Sequence, residues 1–237
     1  MSARIWTARA LATEKRAFEG KAWRAVEAQH IASTLRLVDS GLRGAQALLE
    51  EMLERSKPGS SVAKLDYLLT TPFRYPSAMG SRFGEPGQFG YWYGALACRT
   101  ALAERAYWMW RFWQAAPTAQ RSRNAVALTL FQAALRTKQA LDLTRPPLES
   151  ARKSWIDPMD YTATRKLASE ARKAGMQLML YESVRDPEHA PALVVFNPQA
   201  FSRGKPSAYQ TWFAYVSATG AAVSRTGEQE RHEFQFP

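Results

Sequence analysis

The chain is poor in the residues that bind metals and form disulfides. Its 237 residues include one cysteine and three histidines, and these four lie far apart, at His30, Cys98, His189 and His232. A single cysteine forms no internal disulfide and is typical of a reducing compartment, so we expect a cytoplasmic location. Because no pair of these residues has the spacing of a zinc site, we expect no bound metal.

Long apolar segments and nucleotide-binding glycine motifs are also missing. The first twenty residues carry charges throughout, and no run is long enough to span a bilayer, so we expect neither a secretory signal nor contact with a membrane. The glycines between residues 80 and 90 do not have the spacing of a phosphate-binding loop, and no GxSxG sequence occurs. These absences argue against P-loop and dinucleotide-binding folds. A Ser-His-Asp hydrolase stays open, because such triads are recognised in space, although the GxSxG elbow is missing.

Positive charge is what the sequence has in excess. It contains 32 Lys and Arg against 21 Asp and Glu, which gives a net charge of +11 at pH 7. Such a surface attracts phosphorylated ligands, nucleic acids, anionic membranes or acidic proteins, and the scattered basic residues do not choose among them. A non-catalytic nucleic-acid-binding module, with some of the eight tryptophans stacked on bases, therefore stays as one alternative function.

The pattern of apolar residues differs between two parts of the chain. From residue 9 to residue 55, apolar residues recur at helical spacing, which predicts a pair of helices. The Pro, Gly and Ser-rich segment at residues 56–61 marks a boundary. We therefore predict an N-terminal helical region at 1–57 and a second domain at 58–237. The helices are expected to pack against that domain or to mediate homo-oligomerisation.

Short strand-like runs dominate the second part. Strands are predicted at residues 67–73, 89–96, 125–135, 138–143, 176–181, 192–196 and 209–216. One helix is predicted at 99–113, and another runs from a cap at Asp160 to Gly175. Irregular interleaving of strands with few helices favours an α+β fold. The aromatic tract Tyr107 to Trp113 is interpreted as helix core rather than as a ligand site.

Three groups of residues, taken in order, resemble the RES-domain family. They are Thr71–Pro76 with Ser81–Phe83, Tyr91–Leu96 followed by Ala101–Arg105, and Leu180–Pro187 followed by Leu193–Phe196. The order and spacing carry the resemblance, which covers about residues 60–237. It implies a mixed, mainly antiparallel β core resembling that of ADP-ribosyltransferases, with NAD as the substrate.

The resemblance also implies the site residues. It matches Arg74 and Glu104 to the catalytic pair, and Arg74, Tyr75, Arg82, Tyr93 and Ser183 to the NAD-binding set. Guanidinium groups suit a pyrophosphate because their hydrogen bonds are planar, bidentate and permanently charged. Glu104 would stabilise the positive charge that develops on the ribose as the glycosidic bond breaks.

These matches imply an enzyme that breaks the nicotinamide–ribose bond of NAD, as a glycohydrolase or phosphorylase, and acts as the toxin of a toxin–antitoxin pair. The acceptor of ADP-ribose stays open between water, phosphate and protein, so an ADP-ribosyltransferase that modifies a cellular protein is an alternative. The implied partner is a helical, Xre-like antitoxin. Nucleic acid is expected only indirectly, through that partner, and the basic surface suits an acidic one.

Overall fold

The computed structural model of the chain describes residues 6–28, 64–118, 121 and 124–236. Helices and strands alternate irregularly along the chain, which is the predicted α+β class. The elements are α1 (Ala8–Thr13), β1 (Arg16–Glu27), α2 (Tyr67–Arg74), β2 (Trp92–Ala95), α3 (Cys98–Ala115), β3 (Val126–Asp142), a 3-10 helix (Leu148–Ala151), α4 (Arg152–Trp155), α5 (Thr162–Lys173), β4 (Leu178–Glu182), β5 (Pro191–Val195), a second 3-10 helix (Pro198–Ala200), β6 (Ala208–Val216), β7 (Gly220–Arg225) and β8 (Arg231–Gln235).

The strands form one sheet that partly closes on itself. Their order is β1-β2-β5-β4-β3-β6-β7-β8, and β1 also pairs with β3, so five strands make a ring that β6, β7 and β8 extend. Among the described strands, β3 and β4 are the one parallel pair. The sheet is therefore mixed and mainly antiparallel, as the resemblance implies.

Apolar side chains cover both faces of the sheet. On one face Leu102 and Ala106 of α3 and Leu167 of α5 pack with strand residues such as Trp212. On the other face Leu69 of α2 packs in a second cluster with residues such as Trp92, Phe131 and Leu193. Burial of this apolar surface holds α3 against β1 and β7. Because α3 carries Glu104, its docking fixes where that carboxylate lies.

The N-terminal helical prediction is wrong for residues 16–27. These residues form β1, which pairs antiparallel with β3 from Arg16 opposite Ala140 to Glu27 opposite Leu128. Their Ala, Lys, Arg and Glu content favours a helix only weakly, and backbone pairing on a long neighbouring strand overrides it. Residues 9–13 of the predicted helical pair lie in α1, whereas residues 29–55 and the boundary at residue 57 lie outside the described residues.

Other differences are local. The predicted strand at 67–73 is helix α2, which begins at the cap Asp66, whose Oδ1 accepts a hydrogen bond from the N–H of Leu68 at 2.9 Å. The two runs at 125–135 and 138–143 are one strand, β3, because Arg136 and Thr137 continue the pairing with β1. Strands β7 and β8 were not predicted, since their short sequences have weak apolar alternation.

The ends of α5 confirm the predicted boundaries to within two residues. Asp160 Oδ1 accepts a hydrogen bond from the N–H of Thr162 at 2.8 Å, one residue before the cap position at Tyr161. Gly175 has a φ of 75°, and this left-handed conformation ends the helix and lets the N–H of Met176 reach the carbonyl of Ala171 at 3.0 Å. None of the helices in the described part of the chain is long and apolar enough to cross a membrane.

Candidate active site

A cavity of about 410 Å³ opens where α3 crosses the sheet. Its walls come from six parts of the chain that are far apart in sequence, which is why no single motif reveals it. It is lined by Trp23, Arg24 and Ala25 of β1, Ser77 to Arg82 of the loop before β2, Tyr93 and Gly94 of β2, Ala101, Glu104, Arg105, Trp108 and Phe112 of α3, and Tyr161, Tyr181 and Arg185. The size suits a small molecule rather than a chain.

Glu104 presents the carboxylate of this cavity. The side chain reaches the cavity and is otherwise enclosed by protein. Burial raises the pKa of Glu104 above its ordinary value, while the hydrogen bond from Ser183 and the positive charges of Arg82 and Arg185 oppose that rise. Burial of a carboxylate with a raised pKa costs stability, and such perturbed groups are common at catalytic sites.

Ser183 lies behind Glu104 and holds it. Its Oγ donates to Glu104 Oε1 at 2.6 Å and accepts from the N–H groups of Arg185 and Asp186 at 3.2 and 3.1 Å. The residue is completely buried and is not among those that line the cavity. The structure thus brings Ser183 to the site, with its hydroxyl committed to the carboxylate.

Arg82 is fixed at the wall by the protein itself. Its Nη1 donates to the backbone carbonyls of Trp155 and Asp157 at 3.1 and 2.9 Å, and its guanidinium carbon lies 4.6 Å from the centre of the Tyr161 ring. Its Nη2 is buried and has no partner among the described atoms. An arginine with some N–H groups anchored and one unpaired is suited to receive an anion.

Tyr93 anchors the loop that carries Arg82. Its hydroxyl lies 2.7 Å from Ser81 Oγ and accepts from the N–H of Phe83 at 3.3 Å. Burial raises the pKa of Tyr93, so the hydroxyl stays protonated. Gly80 supports the same loop: its φ is 69°, and a Cβ there would lie 2.6 Å from the carbonyl oxygen of Gly84. Tyr93 thus lines the cavity, and its hydroxyl holds the loop through Ser81 and Phe83.

Arg24 is the site residue that sequence reasoning missed. It lies in β1, lines the cavity, and donates from Nη1 to the carbonyl of Tyr93 at 2.8 Å. Burial, together with the charge of the neighbouring Arg105, lowers the pKa of Arg24 to about 10, and its Nε has no partner among the described atoms. The sequence analysis assigned the segment around Arg24 to a helix outside residues 60–237, which carry the resemblance. No feature of the sequence therefore indicated that Arg24 belongs to the site.

Positive charge dominates the cavity. Four lining residues are arginines, namely Arg24, Arg82, Arg105 and Arg185, and among the described lining residues Glu104 carries the one carboxylate. Arg105 is paired with Glu27, yet its Nε is buried without a partner in the described structure. Buried N–H groups that lack acceptors cost free energy.

Arg74 and Tyr75, the other two residues that the resemblance implies, lie outside the cavity lining. Arg74 is the last residue of α2, half-buried, and its Nε has no partner among the described atoms. Tyr75 follows it and is 45% exposed. The structure therefore joins Arg82, Tyr93, Glu104 and Ser183, and it does not join Arg74 and Tyr75 to them.

The aromatic tract of α3 is divided between core and cavity. Tyr107, Met109 and Trp110 are buried, as the interpretation as helix core requires. Trp108 and Phe112 instead line the cavity, and Phe112 is 58% exposed. The interpretation is thus wrong for these two residues, because they lie on the face of the helix that turns away from the packed core.

The tryptophans give little support to a nucleic-acid-binding surface. Five of the eight tryptophans (Trp6, Trp92, Trp110, Trp155 and Trp212) are buried, so they offer no surface for stacking on bases. Within the described ranges, no three His, Cys, Asp or Glu side chains are grouped so that they hold a metal ion. The chemistry of the cavity rests on guanidinium, carboxylate, hydroxyl and aromatic groups.

With this geometry in view, the chain belongs to the RES-domain family, whose model matches residues 59–215. A comparison with curated proteins finds no match. Among solved structures, a chain in the crystal structure of the M. tuberculosis MbcT–MbcA toxin–antitoxin complex is similar, with 17% sequence identity, 86% of this chain and 89% of that chain covered, and a TM-score of 0.49. The family match confirms the resemblance that the ordered motifs indicate.

Proposed function

We propose that this protein is an enzyme that breaks the nicotinamide–ribose bond of NAD. One observation carries the proposal: Glu104 shares a cavity of about 410 Å³ with four arginines. NAD combines a pyrophosphate with a ribose that becomes positively charged during bond cleavage. A site with clustered guanidinium groups and one carboxylate complements both features, and family membership supports the same substrate.

Arg24, Arg82 and Arg105 are the groups that we assign to the pyrophosphate. Each contributes a buried nitrogen without a partner among the described atoms, at Nε, Nη2 and Nε respectively. Burial, and after it the repulsion from Arg105, lowers the pKa of Arg24, and a bound phosphate would relieve that repulsion. In this proposal Arg24 takes the place that the resemblance gave to Arg74.

The chemical step requires one carboxylate. The bond between C1′ of the ribose and the pyridinium nitrogen breaks with both electrons passing to nitrogen, so nicotinamide leaves as a neutral molecule. Unlike a glycoside oxygen, this leaving group needs no proton. A second carboxylic acid that acts as a general acid is therefore not required. An oxygen of water or inorganic phosphate then forms the new bond to C1′, and water releases one proton as it does so.

Glu104 acts in its ionised form beside C1′. Its negative charge stabilises the oxocarbenium-like transition state more than the ground state, where the ribose carbon carries less positive charge. Ser183 donates to the carboxylate from behind, which keeps Glu104 in place and favours ionisation. Ser183 is accordingly a positioning residue in this proposal.

We also propose that the protein is the toxin of a toxin–antitoxin pair and that its partner is a helical, Xre-like antitoxin. Family membership supports this assignment, and the net charge of +11 favours an acidic partner. Growth arrest on expression, together with recovery when an Xre-like antitoxin is co-expressed, is the expected result. If cells that express the protein cleave NAD but grow normally, the toxin proposal is contradicted and the enzymatic proposal is unaffected.

Incubation of the purified protein with NAD tests the enzymatic proposal. Release of nicotinamide is measured by chromatography with and without inorganic phosphate, and the sugar product is identified by mass as ADP-ribose, its phosphate ester or a modified protein. We expect release that Glu104→Gln lowers by roughly 10²-fold or more, as losses of transition-state electrostatic groups do. Glu233→Gln, an exposed glutamate on β8, is the matched control.

Absence of nicotinamide release under all these conditions contradicts the proposal. So does release that Glu104→Gln and Glu233→Gln leave equally intact, because the activity would then come from elsewhere. Mass gain on the protein or on an added lysate protein, in place of free ADP-ribose, would identify the transferase alternative with the same first step.

A further inference from the structure

One face of α3 runs from the enclosed part of the cavity to its opening. Glu104, Trp108 and Phe112 are spaced four residues apart, so they lie above one another along the helix. All three line the cavity. With a rise of about 1.5 Å per residue, Phe112 lies about 12 Å along the axis from Glu104. This is comparable to the separation between the reacting ribose carbon and the far base in an extended dinucleotide.

Exposure is greatest at the outer end of this face. Glu104 and Trp108 are both half-buried, and Phe112 is 58% exposed. Met79, 67% exposed, lines the cavity from the loop before β2. A polar, charged interior thus leads to an opening lined by aromatic and thioether groups, which are good surfaces for a flat heterocycle.

Arg105 follows Glu104 directly in the helix sequence, about 1.5 Å further along the axis and about 100° around it, and also lines the cavity. The inner part of this helix segment therefore presents a carboxylate and a guanidinium group, and its outer part presents two aromatic rings. The order of groups in NAD is the reacting ribose, the pyrophosphate and then the adenosine. The two orders correspond when the nicotinamide end is inside the cavity.

We propose that adenine stacks on Trp108 and Phe112 at the cavity opening, and that this platform makes the enzyme prefer the dinucleotide NAD over nicotinamide mononucleotide. The inference rests on the proposed function and adds the direction in which the substrate binds. The mononucleotide carries the same scissile bond and one phosphate, so it uses Glu104 and the arginines but leaves the aromatic platform empty. A base bound at the opening would cover the aromatic side chains that are exposed there.

The test compares the two substrates in wild type, Phe112→Ala and Trp108→Leu. Stacking of a base on one aromatic ring changes affinity by about 5- to 100-fold. We expect each substitution to raise KM for NAD by a factor in that range with little change in kcat, and to leave kcat/KM for nicotinamide mononucleotide within about twofold. Phe213→Ala, an exposed aromatic on β6 outside the cavity lining, is the matched control.

Equal losses on both substrates, or unchanged kinetics with NAD, would overturn the inference while the proposed function stands. A wild type that cleaves the two substrates with equal efficiency would do the same. If neither substrate is cleaved, calorimetric binding of ADP-ribose still decides the platform. Affinity for ADP-ribose that falls in Phe112→Ala supports it, and affinity that stays constant, or no binding at all, rejects it.

Discussion

Ser183 Oγ donates to Glu104 Oε1 at 2.6 Å, and this bond joins the residue after β4 to the middle of α3. A second bond repeats the connection one helical turn earlier, where Thr100 Oγ1 donates to Asp186 Oδ2 at 2.7 Å. Asp186 is buried and also pairs with Arg99. The turn after β4 therefore holds α3 at two points four residues apart, and Glu104 is at one of them.

Ser183→Ala tests the first of these bonds. Loss of the donor removes a group that favours the ionised carboxylate, so the pKa of Glu104 rises and the acid limb of the kcat/KM profile moves to higher pH. A hydrogen bond to a charged group contributes about 1.5–3 kcal/mol, which predicts a loss of roughly 10- to 100-fold in kcat. Ser150→Ala, which removes an exposed hydroxyl, serves as the control. An unmoved acid limb would show that Ser183 does not act through Glu104.

Asp186→Asn tests the second bond and has the opposite effect on titration. The charge of Asp186 raises the pKa of Glu104, so its removal moves the acid limb to lower pH. The lost ion pair with Arg99 lowers the free energy of unfolding by about 1–3 kcal/mol, measured by urea denaturation. Glu188→Gln, which changes the exposed second partner of Arg99, is expected to do neither. An acid limb that moves to higher pH would contradict the claim that the charge of Asp186 raises the pKa of Glu104.

Glu104→Gln is expected to stabilise the protein at neutral pH. Because the pKa of Glu104 is raised in the folded state, the native protein binds more protons than the unfolded chain between the two pKa values. Stability is therefore full below the unfolded pKa and falls as pH rises through the folded one. Removing that charge yields a gain on the order of 1 kcal/mol at pH 7, or about 2–4 °C in Tm. The gain disappears near pH 4, and a gain that is equal at both pH values would point to another cause.

Arg24→Gln and Arg74→Gln separate the two assignments of the phosphate-binding arginine. Arg24 lines the cavity and Arg74 does not. We expect Arg24→Gln to raise KM for NAD by roughly tenfold or more, since a charge-assisted hydrogen bond contributes about 1.5–3 kcal/mol, and Arg74→Gln to change it less than twofold. Circular dichroism checks that both variants fold. The reverse order of effects would restore the assignment that the resemblance implies.

Of the six residues that the resemblance implies for the site, the structure brings four together, namely Arg82, Tyr93, Glu104 and Ser183. Arg74 and Tyr75 also occur in an ordered motif, but they lie outside the cavity lining. Arg24 was not predicted because its place in the site depends on the pairing of β1 with β2 and β3, across more than seventy residues of chain. The local sequence does not reveal that strand pairing, and the composition around Arg24 favours a helix instead.

What the sequence determined by itself is the family, the α+β class, the helices α3 and α5, and most strands of the second part, because these depend on order, periodicity and caps that are local. Tertiary structure decided which arginines face the cavity, that residues 16–27 form a strand, and that Trp108 and Phe112 leave the core. Those properties depend on which surfaces pack together. Contacts between distant parts of the chain determine which surfaces pack together. Whether a given side chain belongs to the core or to a binding surface depends on those contacts.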